Sequence, residues 1–306
     1  MKNREMSYHQ PVMLQETMDG LLIREDGTYV DATFGGGGHT RGILQRLGEN
    51  GRVLGFDQDE DARKNQPADK RFTLIPQNFR HLARFLKLYH AIPIDGLLAD
   101  IGVSSYQLDT AERGFSTRFD AALDMRMDQR NELTAATILK TYDELQLQQL
   151  FQQYGEITNA KTLARSIMEA RRIHPLEKVE ELKAVIAPVV KGNPQRYFAQ
   201  VFQALRIEVN DELGALRELL RQAAAVLKPG GRLVIITFHS LEDRIVKNFI
   251  RTGQTDAGEE IPDPFTRQTP EKPFRSVTKK PVLASAAEIR LNPRARSAKL
   301  RIAEKI

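Results

Sequence analysis

Four consecutive glycines and a histidine, Gly35–His39, follow a short apolar stretch, and glycines there let the backbone turn sharply and approach a ligand closely. A phosphate-binding P-loop is excluded, because its GxxxxGK[ST] pattern needs a lysine and none occurs between Lys2 and Lys64. The dinucleotide fingerprint GxGxxG fails as well, since Thr40 stands where a third glycine is required. The run therefore indicates either a ligand-binding turn without a diphosphate site or a purely structural turn.

Asp57 lies 19 residues after Gly38, at the end of the next apolar stretch. An acidic residue at that position accepts hydrogen bonds from the hydroxyls of a ribose. A ligand with a nucleoside but no diphosphate fits both features, and S-adenosylmethionine is such a ligand. Asn78 and Phe79 end a third apolar stretch and offer an amide and an aromatic face for an adenine.

Two more polar residues end later apolar stretches. Asp100 could contact a cofactor or accept a hydrogen from a substrate amine, and the alternative is an aspartate that caps the following turn. His239 could orient a substrate or shuttle a proton. The alternative is a residue beside a Ser240 N-cap, because SLED (240–243) fits the capping-box pattern. No nucleophilic triad and no pair of histidines at metal-ligand spacing is found, so we expect no metal.

The segment DTAERGFSTRFDAALDMRM (109–127) interleaves aromatic and guanidinium side chains. Such a mixture suits stacking on an unpaired base and binding of its phosphates. The alternative is an ordinary loop packed by its own phenylalanines, and the pattern alone leaves both open. The candidate RNA contacts in this segment are Arg113, Phe115, Arg118 and Phe119.

Alternating strands and helices would position these residues. We predict an α/β fold, in which parallel strands joined by helices form one sheet and ligands bind beyond the carboxyl ends of the strands. The predicted strands cover residues 28–34, 52–57, 72–79, 95–102 and 232–240, with an edge or antiparallel strand over 297–305. Predicted helices cover 40–51 and 210–227, the turn KPGG occupies 228–231, and a helical insertion occupies about 134–190.

Composition excludes several classes of protein. The 306-residue chain has no cysteine, which excludes disulfides, thiolate zinc sites, iron–sulfur clusters and a cysteine nucleophile. It has no long apolar segment and no secretory signal, so we expect a cytoplasmic protein without a membrane partner. Residues 266–306 carry eleven lysines or arginines against three glutamates. Such a tail attracts a polyanion such as RNA, or it is a solvated basic face.

Several stretches together resemble the bacterial 16S rRNA cytosine-N4 methyltransferases of the RsmH/MraW type. They occur in the order of that family and span the chain. The matching stretches are HQPVMLQE (9–16), VDATFGGGGHTRGIL (30–44), GFDQD (55–59), LLADIGVSSYQLDTAERGFS (97–116), LDMRMD (123–128), FQALRIEVNDEL (202–213), LKPGGRLVIITFHSLEDRIVK (227–247) and NPRARSAKLRIAEK (292–305).

The resemblance implies a class I methyltransferase, Rossmann-like sheet domain with an inserted, all-helical subdomain. The expected methyltransferase domain comprises residues 1–108 and 206–306, and the substrate-recognition domain residues 109–205. The implied activity is S-adenosylmethionine-dependent N4-methylation of a cytidine in the decoding region of 16S rRNA, within a small ribosomal subunit or assembly particle. The base would be unpaired or flipped, with direct methyl transfer to its amine. The oligomeric state stays open, a homodimer included.

The resemblance also implies site residues. Its cofactor contacts fall on Gly37, Gly38, His39, Asp57, Phe79, Asp100 and Gln107. Asp100 is in addition the candidate acceptor for the amine, and His239 joins the four candidate RNA contacts of the 109–127 segment. The chain departs from the family at Tyr106, where a proline is usual, at Gly36, often a larger residue, and over 192–201. A non-catalytic RNA-binding assembly factor and a nicotinamide oxidoreductase are the alternatives from other classes.

Overall fold

The protein is described by a computed structural model that covers residues 11–255 and 272–306. His9, Gln10 and residues 266–271 of the basic tail lie outside this range. All of the described strands belong to one sheet. They are β1 (Thr28–Asp31), β2 (Arg52–Phe56), β3 (Phe72–Ile75), β4 (Ile94–Asp100), β5 (Leu227–Thr237), β6 (Phe274–Ser276), β7 (Val282–Leu283) and β8 (Lys299–Lys305).

The sheet has the order β3-β2-β1-β4-β5-β8-β6, with β7 paired to β8. The first five strands of this path are parallel, and β8 runs antiparallel to β5, β6 and β7. This is the doubly wound arrangement in which the chain starts near the middle of the sheet and reverses direction after β3. The predicted fold class, a class I methyltransferase sheet of the Rossmann-like type with an inserted helical subdomain, is confirmed.

Helices cover the sheet and build the insertion. Parallel strands are buried on both faces, which explains why β1, β2 and β4 are almost uninterrupted apolar runs. The helices are α1 (Leu14–Leu21), α2 (Gly38–Leu44), α3 (Leu82–Leu88), α4 (Ser105–Asp109), α5 (Ala135–Thr141), α6 (Glu144–Gly155), α7 (Ala160–Ile173), α8 (Val179–Ile186), α9 (Pro194–Asn210), α10 (Glu212–Val226), α11 (Ser240–Thr252) and α12 (Ala286–Leu291).

The contacts divide the chain into two compact units, residues 1–102 with 213–306 and residues 103–212. The domain boundaries expected from the sequence stay a prediction. In the first unit, one buried apolar cluster packs α1 and α2 against the sheet, with the rings of Phe34 and Phe72 stacked at 5.0 Å between centroids. Thus the strand ends that carry polar residues are fixed by a well-packed apolar layer.

The second unit has a core of its own, built by the apolar faces of α5 to α9 and by the loop before α5. Asn210, at the end of α9, fixes that loop. Its side-chain amide donates to the carbonyl of Met125 and accepts a hydrogen bond of 2.7 Å from the N–H of Met127. The loop is therefore ordered by buried polar contacts within this unit.

Two local predictions differ from the structure, and a third is confirmed. The predicted turn KPGG lies inside β5 as a bulge, because Gly230 adopts φ 77° and the strand pairs with β4 on both sides of it. The predicted Ser240 N-cap is wrong, since α11 begins at Ser240 and is preceded by His239 in extended conformation. The last strand, for which the sequence left an edge or an antiparallel strand open, is antiparallel and has neighbours on both sides.

Candidate active site

Three aspartates follow neighbouring parallel strands at the same edge of the sheet. Asp31 ends β1, Asp57 follows β2, and Asp100 ends β4. The strand register aligns Asp31 with Gly55 of β2 and with Leu98 of β4, so the three carboxylates belong to one crevice of the first unit. Sequence spacing predicted Asp57 and Asp100 at this edge.

The glycine run turns the chain from β1 into α2 beside these carboxylates. Gly35 and Gly37 have φ values of 49° and 71°, a region that residues with a side chain rarely adopt. The N–H of Gly35 donates to Oδ2 of Asp57 at 2.7 Å, and the N–H of Gly37 to the carbonyl of Phe34 at the same distance. A Cβ on Gly38 would lie 2.9 Å from Pro11, so this backbone is tightly enclosed.

Asp57 is held by backbone donors on both carboxylate oxygens. Besides the bond from Gly35, Oδ1 accepts the N–H of Asp59 at 2.8 Å. Burial raises the pKa of Asp57 to about 7, against the two hydrogen bonds, which lower it. The carboxylate is thus oriented by main-chain groups that no side-chain substitution removes.

Asp57→Asn is expected to flatten the pH dependence of stability in the cofactor-free protein. A carboxyl whose folded pKa of about 7 exceeds its ordinary value of 3.8 contributes stability at acid pH that is lost as the pH rises through 7. Between about pH 5 and about pH 8, urea unfolding should therefore show a fall in the unfolding free energy that is about 2 to 3 kcal/mol larger for the wild type than for the variant.

Asp69→Asn is the matched control for this experiment. The pKa of Asp69 is lowered to about 2 by its hydrogen bonds from Arg71, so this carboxyl does not titrate in the same interval. Its removal should change the unfolding free energy equally at both pH values. If the unfolding free energies of the wild type and Asp57→Asn change equally with pH, the raised pKa of Asp57 is wrong.

Asp100 has one carboxylate oxygen engaged and one free of partners. Its backbone N–H donates to the hydroxyl of Thr33 at 2.7 Å, and Oδ2 lies 4.0 Å from Nδ1 of His39. Oδ1 is buried and has no hydrogen-bond partner. Burial raises the pKa of Asp100 to about 6, with His39 acting to lower it. A buried acceptor without a donor is rare in folded proteins and marks a place for a ligand group.

His39 connects the glycine loop to the segment before α1. Its side chain is 6% exposed, and Nε2 lies 3.0 Å from the carbonyl oxygen of Val12. The next residue, Met13, donates its N–H to Oε1 of Glu288 at 2.6 Å. The side chain of His39 therefore ties the glycine loop to the chain that precedes α1.

Two further acidic residues, which sequence spacing did not single out, lie at this crevice. Asp31 is fully buried, and its carboxylate accepts from the hydroxyl of Thr40 at 2.7 Å and from the N–H of Thr33 at 3.2 Å. Glu242 is also fully buried, and Oε2 accepts from the N–H groups of Phe238 and His239. The signal for Asp31 was its position at the end of the first strand, next to the glycine run.

Phe79 and Asn78 follow β3, at the far side of the same edge. Phe79 is half-buried and begins a short 3-10 turn, Phe79–His81. The amide of Asn78 is engaged, since its oxygen accepts the N–H of Arg80 and its nitrogen donates to Gln58 at 2.8 Å. The amide of Asn78 is thus occupied by local hydrogen bonds, whereas the half-buried ring of Phe79 remains a candidate for packing against a ligand.

The remaining candidates belong to the second unit. Gln107 is buried and forms a capping box at α4, where Oε1 accepts the N–H of Ser104 at 3.0 Å and the hydroxyl of Ser104 accepts the N–H of Gln107. This cap gives Gln107 a structural role within its own unit. A contact with the cofactor stays a prediction.

The aromatic and basic segment divides into a buried and an exposed pair. Phe115 is 6% exposed in the core of the second unit, and the guanidinium of Arg113 donates to the carbonyl of Arg126 at 2.9 Å. Arg118 is exposed, pairs with Asp109 at 2.8 Å and lies 5.2 Å from the centroid of the half-buried Phe119 ring. The first pair thus builds the loop, whereas the second presents a cation and a ring to solvent.

Within residues 11–255 and 272–306, no three histidine or acidic side chains are grouped as a metal site would require. No helix in these ranges is both long and apolar enough to span a membrane.

Comparisons of the sequence with known proteins identify one family. The MraW methylase family matches residues 6–306. Ribosomal RNA small subunit methyltransferase H of Bacteroides thetaiotaomicron is 52% identical over 306 residues, with 100% of both chains covered. The protein of that name from Flavobacterium psychrophilum is 53% identical over 294 residues, 96% of this chain and 100% of that one. A solved rRNA methylase structure from Streptococcus thermophilus aligns with a TM-score of 0.41 and 13% identity over 95% of each chain.

Proposed function

Since the chain belongs to the MraW methylase family and is an S-adenosylmethionine-dependent rRNA methyltransferase, we propose that it methylates the N4 amine of a cytidine in the decoding region of 16S rRNA. The substrate would be the small ribosomal subunit or an assembly particle, in which the target base must be unpaired or flipped to reach the site.

The crevice of the first unit fits S-adenosylmethionine. The glycine loop offers close backbone approach, the Asp57 carboxylate accepts hydrogen bonds as a ribose requires, and Oδ1 of Asp100 is a buried acceptor without a donor. When bound, this cofactor supplies a methyl group activated by a positively charged sulfur. The residues proposed to hold it are Gly37, Gly38, His39, Asp57, Phe79, Asp100 and Gln107.

Each of these groups has a distinct task in the proposal. The turn at Gly37 and Gly38 presents main-chain groups to the ligand, and Asp57 accepts hydrogen bonds from the ribose hydroxyls. The half-buried ring of Phe79 packs against the adenine. The role of Gln107 rests on its position in the family pattern alone, because its side-chain oxygen already accepts a hydrogen bond within the capping box.

The observation that carries the proposal for the amine is the unpartnered Oδ1 of Asp100. The lone pair of the cytosine amine is delocalised into the ring, so the amine must be oriented before its nitrogen can attack a carbon. A carboxylate that accepts one amine hydrogen fixes the nitrogen and stabilises the positive charge that develops on it. Most of the rate enhancement would then come from positioning.

Nucleoside mass spectrometry of 16S rRNA from cells with and without the protein tests this function. We expect one N4-methylcytidine to disappear when the protein is absent, and to return when small subunits from those cells are incubated with the purified protein and S-adenosylmethionine. Identical rRNA in both cells would contradict the activity. A lost methyl group on a ring carbon or a ribose would contradict the amine as the acceptor.

We further propose that Arg118 and Phe119 bind the RNA, with the ring stacking on a base and the guanidinium near a phosphate. Burial of Arg113 and Phe115 favours a structural role for that pair. Phe119→Ala and Arg118→Ala should each raise the KM for small subunits by about 5- to 50-fold, as expected for a lost stacking or charged contact of about 1 to 2 kcal/mol. Steady-state kinetics measures this effect.

Arg130→Ala is the matched control, because Arg130 also pairs with an aspartate of its own loop, Asp128 at 2.7 Å. It should leave the KM within about 2-fold of the wild type if only the Arg118 region contacts RNA. Binding of S-adenosylhomocysteine should be unchanged in all three variants. A loss of cofactor binding would instead indicate that the loop no longer folds.

A further inference from the structure

His239 and Glu242 form a buried pair at the carboxyl end of β5. Nε2 of His239 lies 2.9 Å from Oε1 of Glu242, and the two side chains are 10% and 0% exposed. The second imidazole nitrogen, Nδ1, is buried and has no hydrogen-bond partner. An imidazole beside a buried carboxylate, with its far nitrogen unpartnered, is an arrangement suited to proton transfer.

The pair fixes which nitrogen can accept a proton. An ionised carboxylate only accepts hydrogen bonds, so its proximity to Nε2 requires that Nε2 carries the hydrogen of the neutral ring. Nδ1 then has a free lone pair. The positive charge that follows protonation of Nδ1 is stabilised by the adjacent carboxylate of Glu242.

His239 is the N-cap residue of α11, and Glu242 lies three residues later in the first turn. The exposed N–H groups of Phe238 and His239 are satisfied by the other oxygen of Glu242, Oε2, at 2.8 and 3.2 Å. These bonds involve only main-chain atoms of His239. Any residue except proline at position 239 would preserve them, so they do not depend on the imidazole.

The pair faces the same crevice as Asp100. Strand β5 is the neighbour of β4, and Ile101 donates its N–H to the carbonyl of Ile236, one residue before β5 ends. Two buried groups without partners, Oδ1 of Asp100 and Nδ1 of His239, thus end adjacent strands.

Resting on the proposed function, we infer that His239 is the catalytic residue that removes the proton from the methylated amine, and that Glu242 is its positioning residue. As the nitrogen–carbon bond forms, the carbon–sulfur bond breaks and its electron pair stays on sulfur. The nitrogen becomes positively charged and transfers one hydrogen, as a proton, to Nδ1 of His239. Asp100 accepts the hydrogen bond of the other amine hydrogen, so orientation and proton removal belong to different side chains.

His239→Ala tests the inference in single-turnover methylation of small subunits at saturating S-adenosylmethionine. We expect the rate to fall by about 100-fold or more, while the affinity for S-adenosylhomocysteine, measured by calorimetry, stays within about 3-fold. Added imidazole should restore part of the rate, which it cannot do for a misfolded protein. A rate within about 2-fold of the wild type, or a loss that imidazole does not restore, would overturn the role of His239. His90→Asn, at an exposed histidine with φ 50°, should keep the wild-type rate.

Glu242→Gln separates positioning from folding. The glutamine oxygen can still accept the N–H groups of Phe238 and His239, but its NH₂ group favours the tautomer with a bare Nε2, so that Nδ1 carries the hydrogen. We expect the rate to fall by about 10-fold or more with an unchanged melting temperature, and imidazole should not restore it. A wild-type rate in this variant would refute the positioning role.

Product analysis distinguishes a failure of the inference about His239 from a failure of the proposed function. If the wild type makes N4-methylcytidine and His239→Ala is as fast, the inference fails and the proposed function stands. If the wild-type product carries its methyl group on another atom, the proposed function itself fails.

Discussion

Asp100→Asn is expected to lower the single-turnover rate of methyl transfer by about 100-fold or more at saturating cofactor. The variant keeps the shape of the side chain but removes the negative charge that is proposed to orient the amine. Preorganised charges of this kind in a water-excluded site contribute about 3 to 4 kcal/mol to the transition state. The rate should be measured with small subunits that lack the modification.

Asp100 is proposed both to hold the cofactor and to orient the amine. Measuring the affinity for S-adenosylhomocysteine and the single-turnover rate separates these two roles. If only the affinity for S-adenosylhomocysteine falls and the rate at saturating cofactor is retained, Asp100 holds the cofactor and does not orient the amine. If both are retained, both roles are wrong. Asp95→Asn is the control, since Asp95 lies on the same strand at the opposite edge, where it binds Lys228 and the N–H of Thr28. Its loss should lower the stability of the protein and leave the single-turnover rate of methyl transfer unchanged.

Gly37→Ala is expected to weaken cofactor binding by about 10-fold or more and to lower the free energy of unfolding by about 1 to 2 kcal/mol. Gly37 has φ 71°, which is unfavourable for alanine, and a Cβ would lie 2.9 Å from the Phe34 ring. That ring is 2% exposed and stacked on Phe72, so it cannot move aside freely. The loop must shift instead, together with the backbone that the ligand approaches.

Gly36→Ala provides a control one residue away. A Cβ on Gly36 would meet no atom within 4 Å, and its φ is outside the left-handed region. Calorimetry with S-adenosylhomocysteine and thermal unfolding should therefore show little change for Gly36→Ala. Equal losses in the two variants would mean that the whole run, rather than the turn at Gly37, is sensitive to substitution.

The sequence predicts the architecture well, because apolar runs mark the buried strands and apolar residues at helical spacing mark the helices. Buried parallel strands require continuous apolar runs, and these runs place β1 to β5 and the residues that follow them. Since ligand sites in such sheets lie beyond the carboxyl ends of the strands, Asp57 and Asp100 could be found from position alone. The resemblance to a known family added His39 and Gln107 as expected cofactor contacts, which position alone would not have selected.

What the sequence does not reveal is which side chains meet across the crevice. The contact of His39 with the carbonyl of Val12, and the pairing of Glu242 with His239, depend on side-chain torsions that no periodicity encodes. Burial also changes the interpretation of a pattern. An arginine close to a phenylalanine occurs at Arg113 and again at Arg118, and packing shows that only the first pair is buried.

Element boundaries were predicted less accurately, for local conformational reasons. One helix was expected over 210–227, but α9 ends at Asn210 and α10 begins at Glu212, because Asp211 takes a left-handed conformation with φ 45°. Aspartate adopts this region more readily than most residues, yet its type alone does not predict such a break. The bulge in β5 is a similar case, in which glycines that usually mark a turn allow a strand to resume.

The position of β8 has a consequence for how the chain is made. Residues 299–305 pair with β5 on one side and with β6 and β7 on the other, and Leu300 and Ile302 enter the core of the first unit. Residues 103–212, with a core of their own, are synthesised before this strand. During translation the inserted unit can therefore fold before the sheet is complete. Until residues 299–305 are made, the sheet lacks an internal strand and β5 has an unpaired edge. An open edge of this kind is prone to aggregation, and chaperones protect such intermediates.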